Sequence, residues 1–302
     1  MTALLLLALL VAGGWAYFQW AAHLVAQGGS VWWFVAGAPV VYVAPAAVLV
    51  AVWLVVAWVG RTPRPPDARL GPGGTLRLFF TEVLSLAASW PLMALHRLLI
   101  RDPPPVPAKR PVVLIHGVLV NDGVWFRLRR FLMRRGRAAI FTINYGPPFD
   151  DIERFAEQLA ARIEAICAST GAERVALVAH SMGGLVARAY LRRFGPRRVA
   201  RLVTMATPHH GSVLAYSFLG RGLSQMHPGN PWLTELNRDE SKPAPVPMTS
   251  IWSRHDSMVI PQASAVLTCA ENVAVIGIAH NAMLVERDVM ELVAREISRP
   301  DS

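Results

Sequence analysis

The sequence predicts an α/β domain with a mostly parallel sheet and helices on both faces, preceded by an N-terminal transmembrane helical hairpin. Three observations lead to this prediction. From residue 110 onward, short apolar runs alternate with helical patterns, which is typical of a parallel sheet covered by helices. Two N-terminal runs lack Asp, Glu, Lys and Arg and are long enough to cross a bilayer. One serine stands at a tight turn between a buried strand and a helix.

The composition indicates a membrane anchor in front of the domain. Of the 302 residues, 53% are hydrophobic and 17% are charged, which is too apolar for an ordinary soluble enzyme. The excess lies in residues 2–24 and 31–60, and each run exceeds the roughly 20 residues that a bilayer requires. Aromatic residues that favour the headgroup region lie near the ends of the runs: Trp15, Tyr17, Trp20, Trp32, Trp33, Trp53 and Trp58. We therefore expect residues 1–60 to form a two-helix transmembrane anchor.

A signal peptide is the alternative interpretation of the first run. The run lacks a basic n-region, however, and a second apolar run follows after a few residues. The connection between the runs contains His23 but no Lys or Arg, whereas Arg61, Arg64, Arg69 and Arg77 follow the second run. Because basic residues favour the cytoplasmic side, we expect both termini and the C-terminal domain to lie in the cytoplasm.

Residues 61–109 are predicted to connect the anchor to the domain. Residues 61–74 are rich in Pro, Gly and Arg, and residues 102–111 contain five prolines, so both segments are expected to be linkers. The apolar stretch 75–100 between them is interrupted by Glu82, Pro91, His96 and Arg97. We expect a helix lying along the membrane surface, with a third span as the alternative.

The domain is predicted to occupy residues 110–302. Strands are expected at 112–115, 138–143, 175–179, 201–205, 248–252 and 272–276, and helices at 125–135, 150–169, 185–191 and 285–297. Asp150 is expected to cap the helix 150–169, which carries Ile152, Phe155, Leu159, Ile163 and Ile166 on one face.

Ser181 is the candidate nucleophile. It follows the strand 175–179 in the order Ala179-His180-Ser181-Met182-Gly183, and small residues two positions away on each side let strand and helix pass closely. The N-terminus of the following helix would favour an oxyanion formed there. Similar pentapeptides also arise by chance. The alternative is therefore a serine that only caps this helix.

Three other segments provide partners for such a serine. His116-Gly117 ends the first strand, so the N–H groups of Val118 and Met182 would form an oxyanion hole. His280 follows the last strand and is the candidate base, and Asp256 follows the strand before it and is the candidate carboxylate. The order serine, aspartate, histidine is the one that this type of fold uses. His180 would point away from the serine, and an ordinary turn remains the alternative for Asp256.

Together, these residues resemble the lipase/esterase branch of the α/β-hydrolases. The resemblance covers residues 110–297 and rests on His116-Gly117, on residues 179–184, on Thr207-Pro208-His209-His210-Gly211-Ser212, and on the spacing of Asp256 and His280. Alanine at the first elbow position also occurs in small bacterial lipases. The resemblance implies ester hydrolysis through an acyl-serine intermediate. No cofactor is expected, and the sequence has no cluster of carboxylates that would indicate a calcium site. The two predicted spans lead us to expect a location in the bacterial inner membrane.

Residues 212–247 fall where these enzymes commonly insert a lid. We expect this segment to cover the site, with a packed structural excursion as the alternative. The predicted substrate-binding residues are His116, Gly117, His180, His209, Leu214, Phe218 and Trp232. The two cysteines, Cys167 and Cys269, are expected to be structural thiols.

The net charge of +10 favours a membrane partner over nucleic acid. Six arginines crowd into eleven residues, namely Arg127, Arg129, Arg130, Arg134, Arg135 and Arg137. Next to two predicted spans, anionic lipid headgroups are the expected partner, with a solvated helix face as the alternative. A lipid-like acyl ester is the expected substrate. An acyltransferase with the same triad and a non-catalytic membrane scaffold are the rival functions.

Overall fold

The domain is built on a six-stranded parallel sheet in the order β2-β1-β3-β4-β5-β6. The computed structural model describes residues 2–104 and 107–300. The strands are β1 (Val112–Ile115), β2 (Ile140–Ile143), β3 (Val175–His180), β4 (Val199–Met205), β5 (Met248–Ser253) and β6 (Glu271–Val275). All six predicted strands are present, with boundaries within two residues of those expected. The predicted mostly parallel sheet is therefore confirmed.

The register brings the carboxyl ends of the central strands to one edge. Ile115 pairs with Ala179, and His180 pairs with Met205, which in turn pairs with Ile251. Because all strands run in the same direction, the segments that follow β1, β3 and β5 emerge next to one another. In open α/β sheets this edge is where ligands bind.

Helices cover both faces of the sheet. They are α5 (Phe126–Arg134), α6 (Ile152–Thr170), α7 (Met182–Phe194), α8 (Arg221–Ser224), α9 (Pro231–Leu236) and α10 (Arg287–Glu296). Val113 and Ile115 pack with α6 and α7, whereas Val112 and Leu114 pack with α5 and α10. Both faces of β1 are buried, which explains why it is apolar throughout instead of alternating with polar residues.

The N-terminal cap of α6 differs from the prediction. The carboxylate of Asp151, not that of Asp150, accepts a hydrogen bond from the N–H of Glu153 at 2.9 Å. Asp150 instead accepts from the N–H of Asp151 and pairs with Arg154. Two adjacent aspartates satisfy the same sequence rule, so only the backbone geometry decides which of them is the cap.

Two long apolar helices precede the domain, α1 (Thr2–Ala26) and α2 (Val31–Val59). Their mean hydropathies are 1.6 and 2.6, and by length and composition both could cross a membrane. Only 6% and 17% of their most apolar windows are buried, so neither resembles the core helix of a soluble protein. The predicted helices are present, whereas the crossing of a bilayer stays a prediction.

Helix α3 (Pro72–Ala94) lies between this hairpin and the domain. One side of α3 packs against α2, where Val83 and Ala87 contact Ala46 and Val50. The other side buries Glu82 and Met93 against the domain. The helix expected to lie along the membrane surface thus has protein on two sides, and a short helix α4 (His96–Leu99) follows it. Whether α3 also touches lipid stays a prediction.

The linker after α2 is fixed to the domain. Near the end of α2, Ala57 packs with Leu214 and Ile260. The N–H of Thr62 donates to the side chain of Gln262 at 3.0 Å, and Arg64 Nε donates to the carbonyl of Arg254 at 2.8 Å. The hairpin is therefore held to the domain by these side-chain and backbone contacts as well as by the covalent linker.

A glycine at the start of α7 permits the close contact between this helix and β1. A Cβ at Gly183 would lie 2.5 Å from the carbonyl oxygens of Ile115 and His116, both of which are backbone atoms. We expect Gly183→Ala to lower the free energy of unfolding by about 1–3 kcal/mol, because helix and strand must move apart. Denaturant titration of the purified protein in a mild detergent measures this change.

Gly73→Ala is the matched control, because a Cβ at Gly73 in α3 meets nothing within 4 Å. It should leave stability unchanged or raise it by up to about 1 kcal/mol through helix propensity. Equal effects of the two substitutions would contradict the close contact at Gly183.

Candidate active site

Ser181 occupies a strained turn between β3 and α7. Its φ is 55° and its ψ is −130°, a conformation that non-glycine residues rarely adopt. The N–H of Ser181 donates to the carbonyl of Met205 at 2.9 Å, which holds the turn against β4. Because α7 begins at Met182, the N–H groups of Met182 and Gly183 have no partner within the helix and can bind an anion, whereas that of Gly184 donates to the carbonyl of Ser181 at 3.0 Å.

The loop after β1 runs directly past this serine. A Cβ at Gly117 would lie 2.9 Å from the Cβ of Ser181 and 3.4 Å from its Oγ, so a larger residue would push the loop away. Val118 follows on this loop, and Val118 and Met182 line the same cavity. The two segments proposed to supply the oxyanion donors therefore meet beside Ser181.

Asp256 and His280 form a buried pair. His280 Nδ1 donates to the two carboxylate oxygens of Asp256 at 3.0 and 3.1 Å, and both residues are at most 3% exposed. One of these oxygens also accepts from the N–H groups of Met258 and Val259, each at 2.8 Å. These contacts fix the carboxylate and leave the Nε2 of His280 as the free nitrogen of the ring.

The charge of Asp256 determines the protonation of His280. Burial by itself lowers the pKa of the imidazole, but the charge and hydrogen bond of Asp256 outweigh burial. The charge of Glu82 acts in the same direction. As a result, the pKa of His280 is raised above its ordinary value of 6.5.

His180 holds the His280 loop against the serine turn. Its Nε2 donates to the carbonyl oxygen of His280 at 3.1 Å, and the centroids of the two rings are 4.7 Å apart. Burial lowers the pKa of His180 well below its ordinary value, so this ring is neutral. Since His180 directly precedes Ser181, the contact brings the imidazole of His280 to the edge of the sheet where the serine lies.

Glu82 of α3 is a residue of this site that sequence reasoning missed. Its carboxylate is fully buried and accepts from the hydroxyl of Ser257 at 2.8 Å and from the N–H of Ala282 at 2.9 Å. Both the N–H and the side-chain amide of Asn281 also donate to it, each at 2.9 Å at closest approach. Glu82 thus bonds the residues that directly follow Asp256 and His280. One signal was present in the sequence, because Glu82 is the only carboxylate in the apolar stretch 75–100.

A cavity of about 510 Å³ adjoins the serine turn, and two of the seven predicted substrate-binding residues line it. These two are His116 and Gly117. The ring of His116 stacks on Tyr145 with centroids 4.2 Å apart, and its Nδ1 donates to the carbonyl of Gly117 at 2.8 Å. Burial lowers the pKa of His116 to about 4, so the ring is neutral. Its Nε2 is a buried acceptor without a hydrogen-bond partner.

The other five predicted substrate-binding residues lie within the described ranges but do not line this cavity: His180, His209, Leu214, Phe218 and Trp232. His209 is fully buried between Thr204 and Arg188, which bond its two ring nitrogens at 3.1 and 3.3 Å. Trp232 donates to Glu153 at 2.8 Å. Both side chains are therefore bonded within the fold. Their residue types and their positions in loops do not predict these contacts.

The segment 212–247, predicted to be a lid, is mostly packed on the domain. Leu223, Leu233 and Leu236 are buried in the core beside α6 and α7, and Leu214 and Phe218 pack towards α2. One point of contact with the site is Gly222, where a Cβ would lie 3.7 Å from the sulfur of Met182. A lid function therefore stays a prediction.

The fold is that of the α/β-hydrolases. A family model described as alpha/beta hydrolase fold matches residues 110–231. Lipase B of Aspergillus fumigatus superposes with a TM-score of 0.62 at 18% identity, covering 86% of this chain and 82% of that chain. A Bacillus licheniformis lipase in its mature form superposes with a TM-score of 0.57 at 18% identity, covering 66% and 96% respectively.

Two curated relatives carry the name triacylglycerol lipase. The protein from Pseudarthrobacter phenanthrenivorans is 36% identical over 113 residues, which is 35% of this chain and 35% of that protein. The protein from Burkholderia plantarii is also 36% identical over 113 residues, covering 35% and 31% respectively. The chain thus spans about a third of the length of the curated relatives it matches.

Removing the carboxylate of Glu82 should destabilise the fold. In Glu82→Ala, a buried hydroxyl and two buried backbone N–H groups lose their acceptor, so we expect the free energy of unfolding to fall by at least about 2 kcal/mol. Thermal and denaturant unfolding in a mild detergent measure this loss. Asp67→Ala, which removes an exposed carboxylate, is the control and should change stability by less than about 0.5 kcal/mol. Equal changes in the two variants would contradict the role of Glu82.

Proposed function

We propose that this protein is a membrane-anchored serine hydrolase that cleaves carboxylic esters, most naturally those with lipid-like acyl chains. The observation that carries the proposal is the buried Asp256–His280 pair, packed through His180 against a serine in a strained turn. The α/β-hydrolase fold and the similarity to triacylglycerol lipases support the same reaction class. A hydroxyl, an imidazole and a carboxylate at one edge of a sheet are the groups that acyl transfer requires.

In the proposed reaction, the Oγ of Ser181 attacks the ester carbonyl while Nε2 of His280 takes its proton. The negative charge on the carbonyl oxygen would be stabilised by the N–H groups of Val118 and Met182. Collapse of this intermediate releases the alcohol, to which His280 returns the proton. Water, deprotonated by His280, then attacks the acyl-serine, and the acid leaves as Ser181 regains its proton. Asp256 orients the imidazole and stabilises its charged form throughout.

Membrane anchoring by α1 and α2 is the second part of the proposal. Both helices are long, apolar and mostly exposed, so an aqueous environment would leave a large apolar surface in contact with water. A cleaved signal peptide would remove contacts that the folded protein uses, because Leu6 of α1 packs in the cluster that contains Trp90. The basic residues that follow α2 favour a domain on the cytoplasmic side of the bacterial inner membrane.

Labelling with a fluorophosphonate probe tests the nucleophile. We expect the wild-type protein to be labelled covalently at Ser181 and Ser181→Ala to remain unlabelled, because only an activated serine attacks the probe. Ser217→Ala, which alters an exposed serine, is the matched control and should be labelled like the wild type. A wild-type protein that resists labelling would favour the non-catalytic scaffold instead.

The pH dependence of ester hydrolysis tests the base. His280 must be neutral to accept a proton, and its pKa is raised, so kcat/KM should rise with pH through a midpoint above 6.5. Asp256→Asn removes the charge that raises this pKa and leaves the effect of burial, so the midpoint should move to lower pH. The same change should reduce kcat by roughly 10³–10⁴-fold.

The exposed residue Asp67 provides the control for this pH experiment, because Asp67→Asn changes the same functional group and the charge of Asp67 is not among those that shift the pKa of His280. It should preserve both the midpoint and kcat. A midpoint that stays in place in Asp256→Asn would exclude His280 as the titrating base.

A further inference from the structure

The cavity beside the serine turn has one wall made by the first apolar helix. Leu4 and Leu7 of α1 line it, together with residues of the loop after β1, the loop after β2, and the segment that joins α3 to α4. Its volume of about 510 Å³ falls within the range of small-molecule sites in proteins. A helix predicted to lie in lipid therefore lines a cavity that Val118 and Met182 also line.

The side chains around this cavity are mainly apolar, and several remain open to the surroundings. Leu98 is 67% exposed, Phe149 48% and Leu119 43%, although all three line the cavity. Large apolar side chains that stay exposed next to a cavity indicate a surface that normally contacts another apolar phase. No Asp or Glu is among the described residues that line it.

Six polar side chains line the cavity: His96, Arg97, His116, Asn121, Asn144 and Tyr145. All of these except the exposed Arg97 form hydrogen bonds within the protein. The side chain of Asn121 bonds the carbonyl of Met93 and the N–H of Gly123, and that of Asn144 accepts from the N–H of Asp122. The Nε2 of His116 is a buried acceptor without a partner among the described residues, and an acyl ester, which has no donor, would leave it unbonded. The predominance of apolar side chains in the lining suits a long apolar chain.

We propose that this cavity binds the acyl chain of a lipid ester, with the chain lying against Leu4 and Leu7 and the ester carbonyl between Val118 and Met182. The inference rests on the proposed hydrolase function and adds a role for α1, which becomes part of the substrate site as well as an anchor. Because α1 is also mostly exposed to its surroundings, a chain from the lipid phase would reach the serine alongside it.

Substitutions that fill the cavity test whether it binds the acyl chain. They should change how the rate of hydrolysis depends on the length of the acyl chain. In Leu7→Trp, the larger side chain would exclude the distal methylenes of a long substrate, and each buried methylene contributes about fourfold to binding. We expect kcat/KM for p-nitrophenyl laurate to fall at least tenfold, while kcat/KM for p-nitrophenyl butyrate changes less than threefold. Leu98→Trp fills the same cavity from an exposed position of α4 and should shift the ratio in the same direction.

Leu9→Trp is the matched control, because Leu9 belongs to the same helix, is 61% exposed and does not line the cavity. It should leave the laurate-to-butyrate ratio at the wild-type value. If Leu7→Trp does not fold, Leu98→Trp decides the question. An unchanged ratio in both cavity variants, or an equal loss on both esters, would overturn the acyl-chain assignment.

The labelling of Ser181 separates this failure from a failure of the proposed function. A wild-type protein that is labelled by the fluorophosphonate and hydrolyses butyrate, but whose ratio does not respond to the cavity variants, is a hydrolase with its acyl site elsewhere. A wild-type protein that is neither labelled nor active on either ester overturns the hydrolase function itself.

Discussion

The site depends on one buried electrostatic contact, the hydrogen-bonded pair of Asp256 and His280. Placing a carboxylate and an imidazole out of water is costly unless every lone pair finds a donor. The N–H groups of Met258 and Val259 supply two of these donors, and the imidazole supplies a third. The cost of burial is thereby offset, and the charge that remains on Asp256 raises the pKa of His280.

The helices in front of the domain also contact the loops that carry Asp256 and His280. Glu82 of α3 accepts hydrogen bonds from the residues immediately after Asp256 and after His280, so one carboxylate holds both loops. The same helix packs against α2 through Val83 and Ala87. Helix α3 therefore connects the hairpin, through packed side chains and hydrogen bonds, to the loops that carry Asp256 and His280.

The position of the cavity beside Ser181 follows from the sheet and from the helices that cover its carboxyl edge. The parallel sheet brings the oxyanion segments and Ser181 to its carboxyl edge, and the helices α1, α3 and α4 cover that edge. In a soluble hydrolase this cover would have to be polar on its outer surface. Here several exposed side chains of the cover are large and apolar, among them Leu84, Leu95 and Leu98, whereas Arg77 and Arg97 are charged. The apolar part of this surface supports the proposed contact with lipid.

Several features of this protein follow from the sequence alone because their causes are local. The six strands, the two long helices and the turn at Ser181 each depend on apolar periodicity or on small residues within a few positions. The pairing of Asp256 with His280 could also be anticipated, because parallel strands place their following loops at one edge. The cap at Asp151 was missed by one residue, since propensity is equal for two adjacent aspartates.

Only the tertiary structure decided which side chains surround the cavity beside Ser181 and what holds the loops in place. Glu82 lies about two hundred positions from Asn281 and Ala282, and no local pattern links such distant residues. His209 and Trp232 have residue types that are common in binding sites. In the fold, however, their side chains form hydrogen bonds to distant parts of the chain. Periodicity fixes which face of an element is buried, whereas the identity of the neighbour on that face is set by the packing of the whole chain.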